Sequence, residues 1–107
     1  MRALKAEIIA NMAQGRLRGP GDIIVSQVST DTRNLSEGSL FVALTGEHFD
    51  GHDFVGQAAQ KGAALVMANE GKDIPENIPA IFVPDTLKAL GKLASAYRRL
   101  FNIPVVA

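Results

Sequence analysis

The chain has 107 residues, a length typical of one folded domain, and 47% of them are hydrophobic, which is enough for a core without disulfides. Lysine plus arginine and aspartate plus glutamate number 11 each, and this balance argues against a nucleic-acid-binding module. The absence of cysteine excludes a disulfide framework and thiolate metal ligands, and it suits a reducing cytoplasm.

The N-terminal segment predicts a short amphipathic helix over residues 3–13. Leu4, Ile8 and Met12 recur every four residues and are expected to face the core. Gly15 is expected to end the helix. The segment is not a secretory signal, because acidic and polar residues interrupt its apolar stretch. The longest strongly apolar run, residues 63–68, is far shorter than the roughly 20 residues of a membrane helix, so we expect no membrane segment.

Four apolar segments predict β-strands, and a fifth begins where the sequence stops. The strands are expected over residues 23–28, 40–44, 63–67 and 79–83, with the last one starting at residue 104. The run L-F-V-A-L is apolar throughout, which predicts a strand buried on both faces. A natural domain seldom ends within a β-strand that has no element after it. We therefore expect the chain to be one domain cut from a longer protein.

Two more helices alternate with these strands. Asp53 is expected to cap a helix over residues 54–61, and Asp85 a longer one over residues 86–100. The inward side of the first is expected to carry Phe54, Ala58 and Ala59. Gly91 lies inside the second, where glycine is unfavourable, so we expect close packing there. Alternating strands and helices favour an α/β or α+β sandwich over an all-helical fold, and we expect an α/β fold with a small mixed sheet flanked by helices.

Common catalytic motifs are absent from the sequence. It contains no GxxxxGK[ST], GxGxxG or GxSxG pattern. Two histidines without cysteine offer few ways to build a nucleophile relay. We therefore expect this chain to hold no catalytic residue.

The first polar cluster is S-T-D-T-R at residues 29–33, directly after a predicted strand. Its hydroxyls suit the imide edge of a uracil or a ribose, because they both donate and accept hydrogen bonds. Arg33 suits a phosphate or a carboxylate. The alternative is a turn in which the hydroxyls bond to their own backbone.

The second polar cluster, residues 47–53, follows the predicted strand 40–44, and loops at strand ends commonly bind ligands. Phe49 either stacks on a base or plugs the core, and its large burial energy favours the plug. The two histidines and two aspartates of this cluster could imitate a metal site. All four crowd into one tight turn and no distant cluster of ligands supports them, so we expect no metal there.

Both clusters belong to one pattern, S-T-D-T-R-x-L-x-x-G-x-L-F-V-A-L-x-G-E-x-F-D-G-H-D-F, from Ser29 to Phe54. This pattern resembles the N-terminal signature of the muramyl ligases. The similarity continues through Q-A-A-x-x-G-A at residues 57–63 and D-T-L-x-A-L-G-x-L-A at residues 85–94. Within the family, F-D-G-H favours the member that uses the UDP-N-acetylmuramoyl tripeptide over the sibling that makes it.

The resemblance implies a cytoplasmic three-domain ligase that we expect to be a monomer. Residues 1–84 would be the N-terminal domain that holds the UDP end of the substrate, and residues 85–107 would lead into a missing central domain. That domain would bind ATP and Mg²⁺, and a third would help bind D-alanyl-D-alanine. ATP would phosphorylate the substrate carboxylate, and the dipeptide amine would attack the acyl phosphate. The chain alone would bind neither cofactor and be inactive.

The resemblance assigns six residues to the UDP end of the substrate: Thr30, Thr32, Arg33, Glu47, His48 and Phe49. The two threonines match contacts to the uridine, and residues 47–49 match a loop that closes on the nucleotide. The family often has arginine where this chain has His48, which puts a permanent positive charge there in doubt. Two alternatives stay open: the equivalent domain of the sibling that adds the diamino acid, and a non-catalytic interaction module with an exposed apolar patch.

Overall fold

The computed structural model describes residues 2–101 and has three layers, with helices on both faces of a central sheet. The described strands are β1 Leu4–Lys5, β2 Arg16–Arg18, β3 Ile24–Val25, β4 Gln27–Ser29, β5 Ser39–Val42, β6 Leu65–Asn69 and β7 Ala80–Val83. The helices are α1 Ala6–Ala13, α2 Val55–Gln60 and α3 Thr86–Phe101, with 3-10 turns at Thr32–Asn34 and Gly51–Phe54. The predicted strand that starts at residue 104 lies outside the described residues.

The central sheet has the strand order β2-β7-β6-β5-β4. Strands β4 to β7 are parallel to one another, and β2 is antiparallel to β7, so the predicted mixed sheet is confirmed. Every residue of β5 is buried, as its continuous apolar run predicts. The carboxyl ends of β4, β5, β6 and β7 therefore share one edge of the sheet.

Alternate side chains of the strands build two cores, one on each face. Leu40 and Val42 of β5 face α1 and α3. Phe41 and Ala43 face α2 and the segment before β7. Within residues 2–101 no helix combines the length and apolar character needed to cross a membrane.

The predicted first helix begins three residues too early and has the wrong phase. Residues 4–5 form β1, which pairs with β3, so the helix starts only at Ala6. Its buried positions are Ala6, Ile9, Ala10 and Ala13. Ile8, expected in the core, is 39% exposed, whereas Leu4 in β1 is buried and Met12 packs against the core. The extended start resets the helical repeat by one residue, which the spacing of Leu4, Ile8 and Met12 could not reveal.

The predicted strand over residues 23–28 is divided between two sheets. β3 pairs with β1, and β4 pairs with β5. Strand β2 was not predicted at all, because R-L-R carries little strand signal. It pairs antiparallel with β7, and the guanidinium groups of Arg16 and Arg18 lie over the ring of Phe82 on β7, at 4.8 Å and 5.2 Å from its centroid.

The cap of the second helix is also different from the prediction. Asp50, rather than Asp53, accepts the backbone N–H of His52 at 2.9 Å and starts the 3-10 turn that leads into α2. This earlier start turns Val55 into the core and leaves Phe54 39% exposed. The predicted cap of α3 is confirmed, because Asp85 accepts the N–H of Leu87 at 2.9 Å.

Gly91 is exposed on α3, and a β-carbon built there meets nothing within 4 Å, so the predicted close packing is wrong. The packed side of α3 instead carries Ala89 and Leu93.

Replacing Gly91 by alanine is expected to raise the free energy of unfolding by about 0.5–1 kcal/mol, because glycine is the costlier residue in an exposed helix interior. Urea denaturation measures the change. A lower free energy of unfolding would show that α3 needs this glycine for a close contact.

Candidate functional site

A cavity of about 420 Å³ lies where β4 and β5 end. Its lining combines segment 30–33, part of segment 49–57 and one strand residue: Thr30, Asp31, Thr32, Arg33, Phe41, Phe49, Gly51, Phe54 and Gln57. Because β4 and β5 are parallel neighbours, the chain segments that follow them meet at the same edge of the sheet. The two polar clusters singled out in the sequence thus border one site.

Aromatic side chains form the apolar part of this cavity. Phe41 is buried in the sheet, whereas Phe49 is 53% exposed. The ring centroids of Phe49 and Phe54 are 6.3 Å apart, with the planes tilted by 51°. The prediction that Phe49 plugs the core is wrong, because the N–H of Gly46 donates to the Phe49 carbonyl at 2.8 Å in a turn whose residues are exposed. An exposed ring beside the cavity can stack on a base.

The hydroxyls of segment 29–33 have two different roles. Ser29 Oγ donates to the Asp31 carbonyl at 2.8 Å and accepts the Asp31 N–H at 3.1 Å, so it bonds to its own turn. The hydroxyls of Thr30 and Thr32 line the cavity and have no hydrogen-bond partner within residues 2–101. Thr32 is 8% exposed. A hydroxyl without a protein partner is available to a ligand.

The two charged side chains that line the cavity, Asp31 and Arg33, form an ion pair. Arg33 Nη2 donates to Asp31 Oδ2 at 2.7 Å, and these side-chain hydrogen bonds lower the pKa of Asp31 to about 2. Lys61 directly follows α2, and its Nζ donates a hydrogen bond of 3.0 Å to the Thr32 carbonyl. Lys61 adds a cation beside this ion pair, and a cation there favours a negatively charged ligand. Arg33 Nη1 has no partner within the described chain and stays available.

Glu47 and His48 are not brought into the cavity lining. Their side chains are 94% and 95% exposed, and they face each other with Nε2 of His48 3.9 Å from Oε2 of Glu47. Of the six residues assigned from the sequence, the structure gathers Thr30, Thr32, Arg33 and Phe49 around the cavity.

The remaining residues of the second cluster bond to the protein itself. The carboxylate of Asp50 accepts a hydrogen bond of 2.9 Å from the ammonium of Lys72. This bond and the one from the His52 backbone N–H hold the pKa of Asp50 well below its usual range. His52 bonds to Asp50 on one side and to the Asn69 backbone on the other. Within residues 2–101 no group of three or more His, Cys, Asp or Glu side chains could hold a metal ion.

Sequence reasoning missed Phe41, Gly51, Phe54 and Gln57 as part of the site. Phe54 was assigned to the core because the start of α2 was placed without the 3-10 turn. Gln57 follows Phe54 by three residues and so lies on the same side of the helix, which is a signal the sequence does contain.

A family model described as "Mur ligase family, catalytic domain" matches residues 24–98. The chain belongs to the Mur ligase family. A UDP-N-acetylmuramoyl-tripeptide–D-alanyl-D-alanine ligase of Bacillus subtilis is 46% identical over 101 residues, covering 92% of this chain and 22% of that protein. The enzyme of the same name from Escherichia coli is 42% identical over 99 residues, covering 92% of this chain and 21% of that protein.

A solved Mur ligase structure has the same fold. It is the UDP-N-acetylmuramoylalanyl-D-glutamyl-2,6-diaminopimelate–D-alanyl-D-alanyl ligase of Acinetobacter baumannii, with a TM-score of 0.80 and 32% identity. The match covers 94% of this chain and 22% of that one. The family predicted from residues 29–54 and the mixed α/β fold are confirmed. The chain spans about a fifth of the length of these Mur ligases.

Proposed function

We propose that this chain binds the UDP end of UDP-N-acetylmuramoyl tripeptide within a ligase that adds D-alanyl-D-alanine. The observation that carries the proposal is the cavity at the ends of β4 and β5, which joins free hydroxyls, exposed aromatic rings and the cations of Arg33 and Lys61. A uridine diphosphate needs these three features, because it combines a hydrogen-bonding base, a flat ring and an anionic diphosphate.

Each part of the ligand has a matching group on this chain. Thr30 and Thr32 offer hydroxyls for the uracil or the ribose, and Phe49 offers a face for stacking. Arg33 offers its remaining N–H donors to a phosphate. Glu47 and His48 stay predicted contacts on the exposed loop next to the cavity.

The proposed role is that of a handle rather than a catalyst. Binding energy from a remote part of a substrate can position the reacting group elsewhere. Residues 1–84 would supply this handle, and residues 85–107 would lead toward the domain that binds ATP and Mg²⁺. In that cytoplasmic enzyme, the carboxylate would take a phosphoryl group from ATP, and the dipeptide amine would then displace phosphate to form the amide. No step of that chemistry needs a side chain of this chain.

Titration of the chain with UDP, and separately with UDP-N-acetylmuramoyl tripeptide, tests the proposal. We expect weak binding, with a Kd of roughly 0.1–1 mM, because ordering costs offset much of the contact energy of a small ligand. Backbone amide NMR shifts should concentrate on residues 30–33 and 46–57. Replacing Thr32 by valine keeps the shape of the side chain and removes the hydroxyl, so the Kd should rise about 3- to 10-fold.

Ser26→Ala is the matched control for this titration, because it removes a hydroxyl at the opposite end of β4. Ser26 is exposed directly before β4 and does not line the cavity, so the Kd of this variant should stay unchanged. Equal weakening by both variants would contradict the site. An absence of shifts at several millimolar of either ligand would contradict the proposed function of this chain.

A further inference from the structure

His52 is buried although it belongs to the segment between β5 and α2. Its side chain is 5% exposed, and both ring nitrogens have partners. Nδ1 contacts a carboxylate oxygen of Asp50, and Nε2 accepts the backbone N–H of Asn69 at 3.0 Å. Because an accepting nitrogen carries no proton, the ring proton lies on Nδ1 and is donated to Asp50. One histidine thus links the end of the loop after β5 to the end of β6.

From Asn69 the hydrogen bonds continue to the start of α3. The side-chain oxygen of Asn69 accepts the backbone N–H of Thr86 at 2.8 Å. The hydroxyl of Thr86 donates to the carbonyl of Ala43 at 2.7 Å, and Thr86 is 2% exposed. The first residue of α3 is therefore fixed to both β5 and β6.

In the opposite direction the hydrogen bonds lead to the cavity. Asp50 pairs with Thr45 across the loop of residues 45–51, which contributes Phe49 and Gly51 to the cavity lining. Asp50 itself accepts from His52 and from the ammonium of Lys72. The loop is thus held at its base by Asp50, and Asp50 is held in the protein by His52.

We propose that His52 is a positioning residue that joins the 45–51 loop of the nucleotide cavity to the start of α3, although its own side chain does not line that cavity. The inference rests on the proposed function, because it takes the loop to be a nucleotide-binding loop. A ligand that fixes the loop then also favours one arrangement of Asn69 and Thr86. By linkage, a change at the start of α3 alters nucleotide affinity in return.

Two variants of His52 separate its hydrogen bonds from its bulk. His52→Phe keeps a flat ring and removes both nitrogens. His52→Gln keeps an amide that can accept from Asn69 and donate to Asp50. In amide NMR titrations with UDP, we expect His52→Phe to raise the Kd at least tenfold and His52→Gln to stay within threefold of the unsubstituted chain. The UDP-induced shift of the Thr86 amide should be present in the unsubstituted chain and absent in His52→Phe.

Ile9→Ala is the control for a general loss of stability. Ile9 lies on the buried side of α1, on the face of the sheet opposite α2, and does not line the cavity. We expect Ile9→Ala to lower the melting temperature about as much as His52→Phe does. Its UDP affinity should nevertheless stay within twofold of that of the unsubstituted chain. The proposal is overturned if His52→Phe and Ile9→Ala bind UDP equally well. It is also overturned if UDP leaves the Thr86 amide of the unsubstituted chain unshifted.

Hydrogen exchange without ligand distinguishes this proposal from the proposed function. If the unsubstituted chain does not bind UDP, the nucleotide role fails, and the exchange of the Gly51 and Thr86 amides then decides the role of His52. Exchange of both amides at least tenfold faster in His52→Phe than in Ile9→Ala supports positioning by His52. Equal exchange in the two variants overturns it.

Discussion

Replacing Gly51 by alanine is expected to lower the free energy of unfolding by about 3 kcal/mol and to abolish UDP binding. A β-carbon at this position would lie 2.7 Å from both the backbone nitrogen and the carbonyl oxygen of Leu44, and 3.1 Å from the α-carbon of Ala43. These atoms are backbone that leaves a central strand, so they cannot move aside by a change of rotamer. The N–H of Gly51 also donates to the Leu44 carbonyl at 2.7 Å, and a displaced residue 51 loses this bond.

Gly56→Ala supplies the matched control for this prediction. Gly56 lies in α2, five residues away, and a β-carbon there meets nothing within 4 Å. The same substitution should stabilise the chain by up to about 1 kcal/mol, because it removes backbone freedom from the unfolded state and improves helix propensity. Chemical denaturation of the two variants measures both effects. If Gly51→Ala were as stable as Gly56→Ala, the close approach of residue 51 to Leu44 would be refuted.

Replacing Thr86 by valine is expected to cost about 2 kcal/mol, because a buried acceptor then loses its donor without a change in side-chain shape. The Thr86 hydroxyl donates to the carbonyl of Ala43, and neither residue is more than 2% exposed. The backbone N–H of Thr86 still donates to Asn69 in the variant, so the loss isolates the hydroxyl.

Thr86→Ser is the control, since serine retains the hydroxyl and removes only a methyl group. Urea denaturation should show a loss of no more than about 1 kcal/mol for serine, the cost of one buried methyl group. A valine variant as stable as the serine variant would mean that the hydrogen bond to Ala43 contributes nothing to the stability of the fold.

The sequence predicts the middle of the fold well because those elements carry their own signals. Strands β5 and β7 are continuous apolar runs, and α3 has an aspartate cap directly before it. The failures lie where the partner decides the structure. β2 is a strand through its pairing with β7, where its arginines lie over Phe82, and α1 has the wrong phase because β3 draws the preceding residues into a strand.

The candidate site shows the same division. That segments 30–33 and 47–53 meet could be expected, because both follow strands of one α/β sheet. The exposure of Phe49 could not, since it depends on how the 45–51 loop closes on Asp50. Nor could the contact between Lys61 and the Thr32 carbonyl, which joins residues 29 positions apart.

Within residues 2–101, both edge strands of the central sheet are short. The edge strands β2 and β4 have three residues each, and the exposed strand β2 carries Arg16 and Arg18 at its two ends. Short, charged edges are poor templates for the addition of a strand from another chain. The buried, highly apolar strands β5 to β7 would aggregate readily if they lay at an edge. Because β5 to β7 lie between the two edge strands β2 and β4, the most aggregation-prone segments of the chain are kept from pairing with a second copy.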